Sequence, residues 1–345
     1  NPLLDLVSYT SPIEISAEIF SDSGDIVSAS VEVFINGNWS NQLMQNIVNS
    51  SMYVANLQPI NSNDVVLYYI NAEDNLGNTN RYPENGEILF TIGNLPVVEI
   101  NDFEYNDTNW TVGSSDDDAS SGIWERVIPI ETQYQGQIVQ TGEDHTDIGS
   151  YCYVTGNSTD FNNVGANDVD GGKTTLFSPV YNLEGNDNAL VSYWRWYTNN
   201  MGDNPSTDYW SVGVTIDGQN WYELELTNQS NASWLEKRFL LSTIFDEPLT
   251  DQVQFRFIAE DISGGSIVEA ALDDFSLQIL NYSDCESNGD INLDGVVNVL
   301  DIVQVVNVIL YESNISNSVL CIIDLNYDEL VNVLDIVILV SLILD

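Results

Sequence analysis

The chain has 345 residues, with 53 acidic side chains against 7 basic ones and a formal net charge of −46. Phosphate recognition needs Lys and Arg, so this balance excludes nucleic acid and anionic membrane surfaces as partners. It suits a protein working in salt among divalent cations, where screening over roughly 8 Å keeps self-repulsion tolerable. The length allows two or three domains with ordinary cores. No apolar run approaches the ~20 residues of a membrane span; the longest is Ile336–Val340 and on past Ser341 to Leu344. No signal peptide opens the chain, and Asn1 reads as the start of a mature or excised segment of an extracellular, cell-surface-associated protein.

Residues 1–95 alternate in short apolar-polar runs: Ile13–Ile19, Ser30–Ile35, Met52–Leu57, Val65–Ala72 and Ile88–Ile92. Turn signals such as Asn36-Gly37 and Asp74-Asn75-Leu76-Gly77 separate them, which predicts an antiparallel sandwich. The runs SGDIVSASVEVFINGNW, MYVANL and VVLYYINAEDNLGN resemble immunoglobulin-like or fibronectin-type modules of secreted bacterial hydrolases. Tyr53, Tyr68 and Tyr69 are expected as core and corner aromatics rather than as a binding face.

After the connector Asn94-Leu95-Pro96, residues 96–281 form a larger β-rich block holding most of the tryptophans. Predicted strands are Ser150–Val154, Thr174–Phe177, Leu190–Tyr197, Tyr209–Ile216, Trp221–Leu226, Val253–Ala259 and Leu272–Ile279. Long Gly/Asn/Asp loops join them, a pattern that indicates a two-sheet jelly roll. The segments DFEYNDTNW, DVDGGKTTLFSPVYNLEG and ALDDFSLQI together resemble the MAM and carbohydrate-binding jelly-roll superfamily. That resemblance implies a structural calcium shared by the first and last strands, with Glu104, Asp273 and Asp274 at the matching positions. Asp168 and Asp170 of the GANDVDGG loop are candidates to add oxygens.

Residues 282–345 carry two near-copies of a calcium-loop sequence, DINLDGVVNVLD (Asp290–Asp301) and DLNYDELVNVLD (Asp324–Asp335). Calcium takes six to eight hard oxygens, supplied in a twelve-residue loop from positions 1, 3, 5, 7, 9 and 12. Those positions hold Asp290, Asn292, Asp294, the Val296 carbonyl, Asn298 and Asp301 in the first copy. In the second they hold Asp324, Asn326, Asp328, the Leu330 carbonyl, Asn332 and Asp335. The duplicated loop followed by a helix resembles the type I dockerin, which implies two bound Ca2+ ions and a cohesin-like partner. Glu329 stands where the pattern has glycine, and a left-handed turn there costs a residue with a Cβ about 1–2 kcal/mol. The positions by which dockerins choose cohesins are Val299-Leu300 and Val333-Leu334, without the hydroxyls of the cellulosomal kind.

Both helices are more apolar than a module of this size can bury. Between Val296 and Leu310 only Asn298, Asp301, Gln304 and Asn307 interrupt the run. A surplus face of this kind marks an interface, to a cohesin-like receptor, to the chain's own jelly roll, or to a neighbouring copy. Cys285 and Cys321 precede the two loops and are placed to form a disulfide if the loops lie side by side. Cys152 reads as a buried small hydrophobe.

Catalytic patterns are missing: there is no HExxH, GxSxG or Cys-His arrangement, and His145 in GEDHTDIGS is the single histidine, expected as a plain surface residue. Trp194 and Trp196 share one strand face, either a core layer or a sugar-stacking platform, with the core favoured. The resulting expectation is a mainly β, non-catalytic, secreted calcium-binding adhesion or anchoring segment of a bacterial surface. It docks through its tail, and its jelly roll is a candidate for binding glycan or protein. Two alternatives stay open: a structural subunit of a calcium-stabilised extracellular filament or surface assembly, and the accessory C-terminal part of a secreted hydrolase.

Overall fold

Alternation of apolar and polar residues builds the first pair of sheets. In a computed structural model of the chain, the described residues are 13–35, 38–57, 64–84, 86–92, 95–106, 109–186, 188–245, 247–262, 264–280, 289–291, 296–311, 322–326 and 331–344. The strand Ile26–Ile35 pairs with Asn38–Leu43 on one side and Val65–Asp74 on the other, and the latter also carries Thr79–Tyr82 and Ile88–Thr91. A smaller sheet joins Ile13–Glu18, Met52–Leu57 and Gln45–Asn46. Every second residue points between the sheets: Ile13 and Ile15, Val31 and Val33, Ala55 and Leu57, Val66, Tyr68 and Ile70 form one buried cluster. Tyr68 belongs to this core, while Tyr69 stacks under Arg81 at 3.9 Å and beside Trp39 at 5.5 Å. The turn after the long strand closes on Asp74, whose carboxylate accepts from the Leu76 and Asn78 N–H groups and from the side chains of Asn78 and Ser21. Gly77 sits in that turn at φ +83°, a conformation that suits a residue without a Cβ.

Two larger antiparallel sheets follow. One is ordered Trp124–Val127, Cys152–Thr155, Glu269–Leu280, Asn188–Thr198, Asn231–Leu240, with Val97–Asn101 pairing the far end of Glu269–Leu280. The other is ordered Thr111–Val112, Gly172–Phe177, Gln254–Asp261, Trp210–Thr215, Tyr222–Thr227. The first and last strands of this block are therefore neighbours, as in a jelly roll. Aromatics from both inner faces interlock, among them Tyr193, Trp210, Phe257 and Phe275. One polar group is folded into this core. Glu225, 8 % exposed, accepts from the Arg195 guanidinium at 2.8 Å, Tyr193 OH at 2.8 Å, Trp210 Nε1 at 2.9 Å and Lys237 Nζ at 3.0 Å. Burial raises its carboxyl, and Arg195 followed by Lys237 outweighs that to hold it below the usual value.

The outer face of the first sheet is covered in turn. Cys152, Val154, Trp196 and Ala271 form a separate buried layer there, with Val127, Ile138 and Trp234 against it. Trp196 Nε1 donates to the Val139 carbonyl at 2.7 Å, tying down the irregular segment above it.

The chain divides into two compact units, Asn1–Asn281 and Tyr282–Asp345. The second is helical: α1 (Val299–Tyr311) and α2 (Val333–Leu344) pack around Val305, Val308, Ile323 and Leu339. The molecule is thus mainly β with a small helical C-terminal module.

Candidate functional site

The duplicated loops are visible as a repeated hydrogen-bond pattern. Asn298 Oδ1 accepts from Leu300 N at 2.8 Å while Asp301 Oδ2 accepts from Asn298 N at 2.8 Å. Asn332 and Asp335 repeat this with Leu334 N and Asn332 N, again at 2.8 Å and 2.8 Å. Each pair is a reciprocal cap on the first turn of its helix, where backbone N–H groups have no partner inside the helix. These side chains occupy loop positions 9 and 12 of the calcium pattern, and ligand spacing alone does not reveal their capping role.

Asp290 and Asp324, which open the loops, are 7 % and 8 % exposed, and Asp301 and Asp335 are fully buried. Buried oxygen-only donors of this kind match what a hard cation takes. Asn292, Asp294, Asp328 and Leu330 lie outside the described residues, as do Glu329 and the two cysteines Cys285 and Cys321.

Helix positions 34 residues apart share their environment. Val299, Leu300, Val303 and Leu310 are 62 %, 60 %, 51 % and 63 % exposed, and Val333, Leu334, Val337 and Leu344 are 65 %, 58 %, 59 % and 79 % exposed. Val305 and Leu339 are both fully buried. The two helices therefore share one buried position and the same open apolar face, although Val308 is buried where its counterpart Leu342 is exposed. Gly289 holds the halves close: its N–H donates to the Ile322 carbonyl at 3.0 Å, and a Cβ there would stand 2.4 Å from Leu339.

In the jelly roll, Asp144 stands between the residues singled out from the sequence, with Glu104 beside it and Asp273 and Asp274 within electrostatic reach. Asp273 is fully buried and its Oδ2 accepts from His145 N at 2.7 Å and Thr146 N at 3.3 Å. Asp274 Oδ2 meets His145 Nδ1 at 2.6 Å, and Glu104 Oε1 accepts from Ser150 N and Tyr151 N at 2.7 Å each. A Cβ at Gly149 would stand 2.3 Å from Asp144 Oδ2 and 2.8 Å from Glu104 Oε1, so the glycine makes room for two carboxylates at one point. The buried Asp144 Oδ2 has no hydrogen-bond partner. Burial, then Asp274 and Asp144 against the bonds from the loop, pushes Asp273 up to about 8, and Asp144 is raised by burial and then by Glu104. Carboxylate oxygens are the donors a hard divalent cation takes, which makes Glu104, Asp144 and Asp273 the candidates to hold one here. Among the described residues, no three His, Cys, Asp or Glu side chains are already arranged to hold a metal ion.

His145 departs from the surface role expected of it. Besides meeting Asp274, its ring stacks on Trp194 at 3.6 Å and 15°. Trp194 and Trp196 share the outer sheet face, and the second is buried beneath residue 139 while the first is capped by the histidine. Asp144 was legible only as part of an acidic loop, because its partners stand 40 or more residues away in sequence. Cys152 is a free, fully buried thiol, raised by burial and then by Asp273.

Asp168 and Asp170 do not join the Glu104 group. Val169 N donates to the Val268 carbonyl at 3.0 Å, which places the loop at the start of the strand Glu269–Leu280. Asp273 lies four residues further along that strand, about 13 Å at 3.3 Å per residue. The two carboxylates face Asp261 and Glu269 instead.

A shallow cleft of about 480 Å³ opens beside Asp144, lined by Trp196, Trp234, Ile138, Glu131 and Glu143 among others. No helix among the described residues is long and apolar enough to cross a membrane.

Residues 288–344 match the family model of the dockerin type I domain. A search of curated proteins gives no match. Among solved structures, a family 61 carbohydrate-binding module in complex with β-1,4-galactotriose is similar at 12 % identity and a TM-score of 0.32, covering 50 % of this chain and 90 % of that one. The cleaved adhesin domain of Lys-gingipain from Porphyromonas gingivalis gives 12 % and 0.35, with 53 % and 98 % covered. A xylan-binding domain of carbohydrate-binding family 22 gives 8 % and 0.31, with 53 % and 95 % covered.

Proposed function

We propose that the chain is a non-catalytic, secreted anchoring segment that docks through its C-terminal helices to a cohesin-type receptor, with calcium as the structural metal. The observation that carries this reading is the equivalence of the two open apolar faces, Val299-Leu300 and Val333-Leu334, each raised on a calcium-loop sequence within the dockerin-matching residues. Open apolar faces of this kind mark interaction sites, and their repetition suits a partner that can engage either one. Calcium acts by drawing the buried loop carboxylates together, so that helix and loop fold as one.

In the jelly roll, a calcium held by Glu104, Asp144 and Asp273 pins the first strand to the last and orders the loop 141–151. The cleft next to it, with Trp196 and Trp234 beside carboxylates, is the place for a sugar ring. This would make the segment a surface adhesion protein with a glycan-binding body and an anchoring tail.

Calorimetry of the full chain against purified cohesin modules tests the docking. Binding is expected with calcium, absent in excess chelator, and weakened at least tenfold in the Leu300→Asp/Leu334→Asp variant. Calcium-independent binding, or full affinity in that variant, would overturn the reading. Calcium-dependent polymers in negative-stain microscopy would replace the receptor by a second copy of the chain.

A further inference from the structure

At the end of the jelly roll where Asp168 and Asp170 lie, a second set of carboxylates is buried. Asp261 ends one strand of the five-stranded sheet, Glu269 opens the long strand of the other sheet, and Asp208 stands just before Trp210–Thr215. Asp168, Asp208, Asp261 and Glu269 are 3 %, 1 %, 0 % and 2 % exposed. Asp168 accepts a backbone hydrogen bond from Val268, but the bonds to this group do not reach all of its oxygens. Asp261 Oδ1 accepts from Gly264 N at 2.7 Å, and Asp208 accepts from Ile262 N at 3.2 Å and Thr207 Oγ1 at 3.1 Å. Glu269 Oε2 meets Thr155 Oγ1 at 3.4 Å. Asp168 Oδ1 and Asp261 Oδ2 are buried with no hydrogen-bond partner.

Among the described residues, none of the four carboxylates is in an ion pair with a basic side chain, and Lys173, which faces the neighbouring Glu260, is committed to Asp116 at 2.6 Å. An unpaired buried carboxylate is among the most costly groups a fold can hold. Burial and then Asp170 and Asp261 push Asp168 up to about 7, and burial and then Asp168 raise Glu269.

We infer that Asp168, Asp170, Asp208 and Asp261 form a separate site for a hard divalent cation of the calcium class, with the orphaned oxygens of Asp168 and Asp261 as its first ligands. Calcium accepts carbonyls and waters among its six to eight oxygens, so three directly bound carboxylates are not required. The chemistry fits the place. The loop around Asp168 and the turn after Asp261 connect the two sheets, and an ion between them clamps this end of the sandwich. The inference does not depend on docking by the tail, which is a different unit of the chain.

The test is calcium titration of the full chain by calorimetry, comparing wild type with Asp168→Asn/Asp261→Asn and with Asp290→Ala/Asp324→Ala. The jelly-roll double variant is expected to bind one ion fewer than wild type and to lose part of the calcium-induced rise in Tm of the β unit. The tail variant is expected to retain that rise. Unchanged stoichiometry in Asp168→Asn/Asp261→Asn, or an unchanged calcium-induced Tm rise, overturns the site. If that variant does not fold, terbium-soaked crystals of wild type decide. An anomalous peak at ligand distance from Asp168 and Asp261 supports the site, and a peak only at Glu104 or in the tail overturns it.

Discussion

The jelly roll and the helical tail handle apolar surface in opposite ways. The sandwich hides more than it needs to: beyond the core between its sheets, it buries a second layer of Cys152, Val154, Trp196 and Ala271 under an irregular segment. The tail buries one stripe, Val305, Val308, Ile323 and Leu339, and leaves Leu300, Leu310, Leu334 and Leu344 open. A two-sheet sandwich can recruit its own loops as covers, whereas two short helices have only each other. The body is therefore self-sufficient, whereas the described residues of the tail keep an apolar face open.

The strongest way to break the self-sufficient half is to strike its buried ion pair. Glu225→Ala leaves Arg195, 3 % exposed, without its carboxylate, and removing one partner of such a pair costs about 3–5 kcal/mol. Urea denaturation followed by tryptophan fluorescence is expected to show a large fall in midpoint for the β unit, with the helical signal untouched. A fall confined to a few tenths of a molar would show that water reaches Arg195.

Chelation should separate the two halves from the other side. The Asn298–Asp301 and Asn332–Asp335 caps keep some helix without metal, each worth about 1 kcal/mol. Asp301→Ala and Asp335→Ala remove a cap and a buried loop donor together. Helicity at 222 nm is expected to drop further in these variants than in chelated wild type, while the β unit loses only its own calcium-dependent part.

Much of this contrast could be read from the sequence, and the exceptions have physical causes. Strands rich in apolar and aromatic residues, such as Met52–Leu57 and Val65–Asp74, are legible to within two residues of their ends. Asn38–Leu43, Thr79–Tyr82 and Asn231–Leu240 were missed because they are polar edge strands, whose pairing is set by the neighbour rather than by an apolar face. The repeated loops were plain because their spacing is local. The partners of Asp144 and Asp261 were not: among 53 acidic residues, a buried carboxylate has no local mark that separates it from a solvated one. Grouping Asp168 with Glu104 failed for the same reason, since only strand register shows that the two groups occupy different places on Glu269–Leu280.

Acid bears on the N-terminal sheets through Asp74. Hydrogen bonds from the Asn78 side chain and then the Asn78 N–H hold Asp74 at about 2, below its ordinary value of 3.8. The folded state thus binds this proton less readily than the unfolded chain. The contribution is fully present above about pH 4 and is lost as pH falls toward 2. Asp74→Asn should lower the Tm of this domain at pH 6 and bring the two proteins together near pH 2. A constant difference across that range would assign the effect to turn geometry instead of charge.

Trp196→Phe keeps most of the buried ring and removes the donor to the Val139 carbonyl, so a loss of about 1 kcal/mol is expected in the β unit. Proteolysis within 128–150 should quicken in proportion, because that hydrogen bond fastens the cover to the sheet.

The smallest effect on stability is expected where the sequence is most apolar. Leu300→Ala removes a side chain that is 60 % exposed, and substitutions away from buried features stay within about 0.5 kcal/mol. Leu339→Ala, fully buried in the same module, should cost about 2–5 kcal/mol. The comparison has to be made on the chain without a partner, by thermal unfolding of the helical signal in calcium. If Leu300→Ala destabilises the isolated chain as much as Leu339→Ala does, the open face is already covered in solution by a copy of the chain. A face that is silent in the free chain and decisive once a receptor is added is reserved for binding.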